Sequence, residues 1–166
     1  MQLEAFKAIV SSLDKEDVQF LIVGGMAVVA HGYGRVTFDI DIVIQLNSDN
    51  IVRGFRALES IGYRPRVPVT GESFSDEQQR AEWIETKGML VLNFFSDRYP
   101  RTMLDVFVSE PFDFDAVYDK ALKEELDDST PFRVVDLETL IAMKNEAGRD
   151  KDLDDIKHLR MIQDGQ

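Results

Sequence analysis

Near the N-terminus apolar residues recur at helical spacing: Leu3, Phe6, Ile9, Val10 and Leu13. Steps of three and four put them on one face, so residues 2–15 are predicted to form an amphipathic helix. The next apolar run, VQFLIVGG, is short and unbroken and ends at a glycine pair. That is the pattern of a buried strand entering a turn. MAVVAHG, small and apolar, reads as a packed helix.

The period then changes to two. In TFDIDIVI, Phe38, Ile40, Ile42 and Ile44 alternate with Thr37, Asp39, Asp41 and Val43. One face of this predicted strand is wholly apolar. The other carries both aspartates, roughly 7 Å apart along the backbone. Two neighbouring anions repel, and burying them is costly unless something positive compensates. SDNIVRGFRALESIG opens with a cap signal and closes at Gly62, a helix with both ends marked. Residues 63–74 hold two prolines and a glycine and are expected as a loop, with room for an edge strand. SDEQQRAEWIETKG is open between helix and mobile loop. MLVLNFFS and TMLDVFVS read as two strands joined through DRYPR. Beyond Pro111 come a helix over 114–122, a short strand at FRVVD, and helices over 137–147 and 151–163.

This order predicts an α+β fold, an α/β sandwich with a small mixed sheet, flanking helices and C-terminal helices. Residues 1–166 are expected to form a single domain, with 136–166 as a helical pair packed on it. No linker separates that pair.

Composition narrows the function classes. The 166 residues are 44% hydrophobic and 30% charged, ordinary for a globular domain. No apolar run reaches the length of a membrane span, and the acid-bearing N-terminus lacks the signal-peptide pattern. With no cysteine, disulfides and thiolate metal sites are excluded, which fits a cytoplasmic protein. A net charge of -12 argues against a general grip on nucleic acid. It leaves open a local contact, and residues 52–66 do gather four arginines against one glutamate. Solvated helix faces explain that segment and the acidic 109–128 equally simply.

The candidate chemistry lies in IVGGMAVVAHGYGRVTFDIDIVI. Gly24 and Gly25, after a strand and before a helix, free backbone N–H groups for an anion. Asp39 and Asp41 follow on the next strand. A phosphate cradle and a dicarboxylate are two halves of a metal–phosphate site. Mg²⁺ (or Mn²⁺) suits it, taking oxygen ligands and binding through one or two carboxylates plus substrate phosphates. A third carboxylate would complete a two-metal arrangement. Asp105 is the best candidate, an acid in the apolar run TMLDVFVS; Asp97 and Asn93 are weaker ones. Arg35 either meets a phosphate or offsets the carboxylates as an ion pair. His31 reads as a hydrogen-bonding interior residue and Trp83 as packing.

These residues resemble the signature of the polymerase-beta-type nucleotidyltransferase superfamily: a hydrophobic residue, Gly, then Gly or Ser, a gap, and Asp-hydrophobic-Asp/Glu-hydrophobic. Here it reads Val23-Gly24-Gly25, thirteen residues, then Asp39-Ile40-Asp41-Ile42. The wider pattern GG…A…HG…R.T.D.D and the C-terminal LETLIAMKNEAGRDKDLDDIKHL resemble the branch of AbiEii-type abortive-infection toxins and minimal nucleotidyltransferases. The resemblance implies an active site at the edge of a small mixed sheet. Asp39 and Asp41 would hold the metals that bind an NTP. Asp105 would complete the second metal site and help activate the attacking hydroxyl. Gly24 and Gly25 would contact phosphates, and Lys144 matches a lysine that would reach them. The expected reaction moves a nucleoside monophosphate to a hydroxyl or phosphate acceptor, releasing pyrophosphate. The acceptor is a small molecule, a protein or a tRNA end. The alternative is a catalytically weak or inactive interaction protein on the same fold, a toxin–antitoxin component with an antitoxin or all-helical partner. The sequence departs from the commonest pattern where Met26 follows the glycines in place of serine. Arg149, Lys151, Asp152 and Asp155 straddle a helix–helix turn, where ion pairing and capping compete with catalysis.

Overall fold

At the centre of the sheet β1 (Phe20–Val23) runs antiparallel to β2 (Asp39–Ile44), with Val23 opposite Asp41 and Phe20 opposite Ile44. The computed structural model describes residues 1–165. β2 pairs in parallel with β5 (Met103–Phe107), which continues antiparallel to β4 (Val91–Phe95) and then to the two-residue edge strand β3 (Arg64–Pro65). On the other side β7 (Pro131–Val134) lies parallel to β1 and carries β6 (Leu122–Glu125) at the far edge. The seven strands follow the order β3-β4-β5-β2-β1-β7-β6. The mixed sheet with helices around it is the α+β arrangement the periodicity predicts.

All four residues of β1 are buried, so helices cover both faces of the sheet there. α1 (Leu3–Lys15) turns Ala5, Phe6, Ile9, Val10 and Leu13 inward and packs on α3 (Ser48–Ser60). α3 is fixed at its start by Asn47, whose side chain accepts from the Asn50 N–H. Asn50, fully buried, bonds the backbone of Gln19 and Gln45 and so ties α3 to both central strands. α2 (Gly24–Ala30) packs on α7 (Leu137–Ala147), and α7 on α8 (Asp150–Gly165). Leu140, Ile141, Ile156 and Leu159 from these last two helices belong to the same apolar core as the strands.

Several expectations are corrected. Phe38 is 69% exposed and precedes the strand, so the apolar face of β2 is Ile40, Ile42 and Ile44. Val43, on the carboxylate face, is buried: only the Asp39–Asp41 end of that face is left open. The glycine pair is the first turn of α2, not a turn before it. Residues 77–87 form helix α5 (Glu77–Lys87), capped by Asp76 and closed by Gly88 in the left-handed region. The loop before it holds a short helix, α4 (Gly71–Ser75), begun by a Thr70–Ser73 capping box. The helix expected over 114–122 ends at Lys120 as α6 (Phe114–Lys120), and Leu122–Glu125 pairs with β7. Its LKEE sequence favours a helix, but the open edge of β7 overrides that weak preference. The charges of Lys123, Glu124 and Glu125 blunt the new edge.

Candidate active site: a three-carboxylate face

The parallel pairing of β2 and β5 brings Asp41 directly beside Asp105 and Asp39 beside Met103. On the next strand Asn93 lies beside Asp105. Residues in register point to the same side, so Asp39, Asp41, Asp105 and Asn93 share one face. β5 is interior to the sheet, so Asp105 does not stand on an edge strand. Leu104, Val106 and Val108 are buried on its opposite face.

The carboxylates feel one another. Burial, with Asp105 and then Asp39 close by, pushes the Asp41 carboxyl up to about 6; Lys144 and Lys151 pull weakly the other way. Asp105 is also raised, chiefly by burial. The hydrogen bond Asn93 donates to it at 2.5 Å works against that rise, and Asp39 adds to it. Among the described residues no Lys or Arg lies within ion-pair distance of Asp39, Asp41 or Asp105. Nor do three acidic or His side chains among them form a ready-made metal cluster. The donor set is nonetheless that of a hard divalent cation: carboxylate oxygens, no sulfur, repulsion unrelieved.

Gly24 takes φ +64, and a Cβ there would sit 2.1 Å from Asp41 Oδ2. Both facts demand glycine, one for the left-handed backbone and one for the close approach. A Cβ on Gly25 would meet Thr37 Oγ1 at 2.6 Å and an Arg35 guanidinium nitrogen at 3.0 Å. The sides of both glycines that face β2 are therefore filled by protein. Any phosphate contact of theirs is left to backbone N–H groups.

Lys144 and Arg35 are placed differently from the aspartates. Lys144 is 5% exposed, with its Nζ 3.1 Å from Asp152 Oδ1 and 2.8 Å from Asp155 Oδ2. Arg35 Nε stands 3.0 Å from Asp155 Oδ1, so it offsets Asp155 and not the strand carboxylates. Arg149 completes the cluster at 2.7 Å from Asp152, which also accepts from the Arg149 backbone N–H at the start of α8. Burial works against ionised Asp152, yet the bonds from Arg149 and Lys144 hold its carboxyl below the usual value. Lys144 and Arg149 also line a cleft of ≈ 100 Å³ with Gly24, Asp41 and Phe107.

Other candidates resolve simply. His31 bonds the Val135 carbonyl at 2.7 Å, Trp83 packs near Phe74, and Asp97 pairs with Arg64. Arg149, Asp152 and Asp155, read as ion pairing or capping against catalysis, meet in this ion-pair cluster. What the sequence reading did not join to Lys144 and Arg35 is the Asp152–Asp155 acceptor pair. Its signal was the Asp-x-x-Asp spacing on α8, one turn apart and facing one way.

The sequence matches no protein-family model, and comparison with curated proteins finds no sequence match. Solved structures do align over nearly the whole chain. The lincomycin-bound lincosamide antibiotic adenylyltransferase LnuA aligns at TM-score 0.60 and 17% identity, covering 98% of each chain. The chain shares the fold of this adenylyltransferase. ANT(2")-Ia, in complex with adenylyl-2"-tobramycin, shares this nucleotidyltransferase fold at TM-score 0.58 and 12% identity, over 98% of this chain and 94% of that one. A Thermotoga maritima protein provisionally classed as a nucleotidyltransferase aligns at 0.55 and 16% identity, over 99% and 93%. No helix in the described residues is long and apolar enough to cross a membrane.

Proposed function

We propose that the chain is a nucleotidyltransferase that moves a nucleoside monophosphate from an NTP to a hydroxyl-bearing acceptor, with Mg²⁺ or Mn²⁺ held by Asp39, Asp41 and Asp105. The observation that carries this reading is the three-carboxylate face, left without a basic partner beside the Gly24 backbone. A divalent cation bound there would neutralise charge on the triphosphate and on the developing pyrophosphate. Asp39 and Asp41 would supply its oxygen ligands. Asp105, raised by burial and oriented by Asn93, accepts the proton of the attacking hydroxyl. The hydroxyl oxygen forms a bond to the α-phosphorus as the bond from that phosphorus to the β-bridging oxygen breaks, and pyrophosphate leaves. The fold shared with two antibiotic adenylyltransferases supports the reaction class.

The test is thermal unfolding with Mg²⁺ or Mn²⁺ and each of the four NTPs, on the wild type and on Asp39→Asn/Asp41→Asn. A ligand confined to the native state raises the midpoint with occupancy, by several degrees at about 100 times its Kd. The expected result is a rise that needs both metal and nucleotide and disappears in the double variant. A folded wild type that shows no rise with any nucleotide at saturation overturns the proposal.

A further inference from the structure

The carboxylate face does not stop at Asp105. Its row continues across Asn93 to the backbone of Arg66, whose N–H bonds the Asn93 carbonyl at 2.9 Å. A parallel row runs from Asp39 through Met103 and Phe95 to Arg64. Two arginines thus stand on the acid-bearing face, two strands beyond Asp105 and about 10 Å from it. Arg64 is neutralised by Asp97 at 2.9 Å. Arg66 has no carboxylate within ion-pair distance among the described residues. Its guanidinium lies 5.6 Å from the centre of the Phe95 ring and 3.6 Å from Met103 Sδ, over the residue that pairs with Asp39. It is an exposed cation held in place by an aromatic ring, on an otherwise acidic protein.

The sheet order gives the site two ends. Gly24 and α2 lie beyond β2 on one side, and Asn93, Phe95 and Arg66 lie beyond β5 on the other. With the triphosphate on the glycine side and Asp105 receiving the hydroxyl proton, the acceptor enters from the Arg66 side. We propose that Arg66 is the anion-recognising residue of the acceptor subsite, and that the acceptor is a small hydroxyl compound bearing a phosphate monoester. This rests on the nucleotidyl-transfer reading above. A guanidinium fixed in one plane matches a phosphate through paired N–H donors. A long polyanion would gain from one free arginine only what a net charge of -12 takes away.

The experiment follows the arginine Nε–Hε resonances of the full chain with Mg²⁺ present. The probes are glycerol 3-phosphate, glycerol, tobramycin and a 5′-phosphorylated tetranucleotide, on the wild type, Arg66→Gln and Arg64→Gln. Glycerol 3-phosphate is expected to shift the Arg66 signal saturably, and glycerol and tobramycin are not. Arg66→Gln should weaken that binding about tenfold or more, and Arg64→Gln should leave it within about twofold. The proposal falls if Arg66 shows no saturation by about 50 mM glycerol 3-phosphate, if Arg66→Gln binds as well as wild type, or if the tetranucleotide or tobramycin binds more tightly. The same samples, read for the metal-dependent NTP stabilisation, separate the two readings. If that stabilisation is present and Arg66 is silent, the acceptor subsite alone is lost. If it is absent and Arg66 binds, transfer is lost while an anion site stands.

Discussion

Two groups of charges sit on either side of one small cleft, and they are built on opposite rules. In the α7–α8 cluster Arg35, Lys144 and Arg149 meet Asp152 and Asp155, each cation against a carboxylate within 3.1 Å. On the β2–β5 face Asp39, Asp41 and Asp105 are gathered with no cation among them. The first cluster is charge-paired within the protein and anchors the C-terminal helices. The second is raised in energy by burial and repulsion, and is relieved only by a proton or by a cation from outside. The difference separates structural charge from chemical charge where residue type alone does not.

The largest effect should come from breaking the paired cluster. Lys144→Met removes the cation that both buried carboxylates face. Asp152 keeps Arg149 and Asp155 keeps Arg35, so relief is partial. The variant should lose roughly 3 kcal/mol of unfolding free energy, the lower end for a broken buried pair. The check is the urea midpoint at unchanged m-value. A loss below about 1 kcal/mol would mean the cluster is wetter than its burial implies.

Gly24→Ala comes next and strikes the other group. The methyl must displace the Asp41 carboxylate from 2.1 Å while the backbone holds φ +64. The cost should be about 2 kcal/mol, with left-handed strain near 1 kcal/mol of it. Chemical denaturation reads it directly. Metal-dependent nucleotide stabilisation should fall too, since Asp41 moves; unchanged nucleotide binding would place Asp41 outside the site.

How much of this was legible beforehand follows the same division. Period-two alternation put Asp39, Asp41 and Asp105 on the polar side of otherwise apolar strands, and the preceding glycine pair made the combination informative. It did not tell that Phe38 lies outside the strand, because the step from coil to ladder at Asp39 is set by pairing with Met103, a partner far away in sequence. Lys144 was brought to the phosphates by the family resemblance, and Arg35 was left open between a phosphate and an ion pair with the carboxylates. Their availability depended on Asp155, one helix away, and no local pattern states a tertiary ion pair. Local propensity also misplaced Leu122–Glu125, whose strand exists only because β7 offers an edge.

A third prediction uses acid to pull the two groups apart. With Asp41 near 6 when folded and near 3.8 when unfolded, the native state holds the extra proton between those values. Stability of the metal-free protein from this group therefore falls as pH rises from about 4 to 6, and Asp105 acts in the same direction. Asp152 has the opposite sign: its contribution is present above 3.8 and is lost as pH falls below that value. Acidifying from pH 7 to about 4.5 should stabilise wild type relative to Asp41→Asn by up to about 2 kcal/mol. The neutral amide should make the variant the more stable of the two at pH 7. Saturating Mg²⁺ should erase the difference by stabilising the wild type alone. Parallel pH–stability curves for the two proteins would show that Asp41 is not under strain.

The smallest effect tests whether the face is tuned as well as crowded. Asn93 is exposed, and the bond it donates favours ionised Asp105, as a weaker one from Asp41 does. Asn93→Ala removes that bond where water can replace it, so stability should change by less than about 0.5 kcal/mol. The carboxyl of Asp105 should nevertheless rise further, because burial and Asp39 are then opposed by less. In the carbon-13 titration of its side-chain carboxyl the midpoint should move to higher pH. The acidic limb of the pH–rate profile should move the same way, since Asp105 must be ionised to take a proton. A stability change with no move in either titration would make Asn93 a packing residue. A move of the midpoint with a stability change of only a few tenths of a kcal/mol is what distinguishes this face from the α7–α8 cluster, where the bonds that hold the Asp152 carboxyl low also hold the helices together.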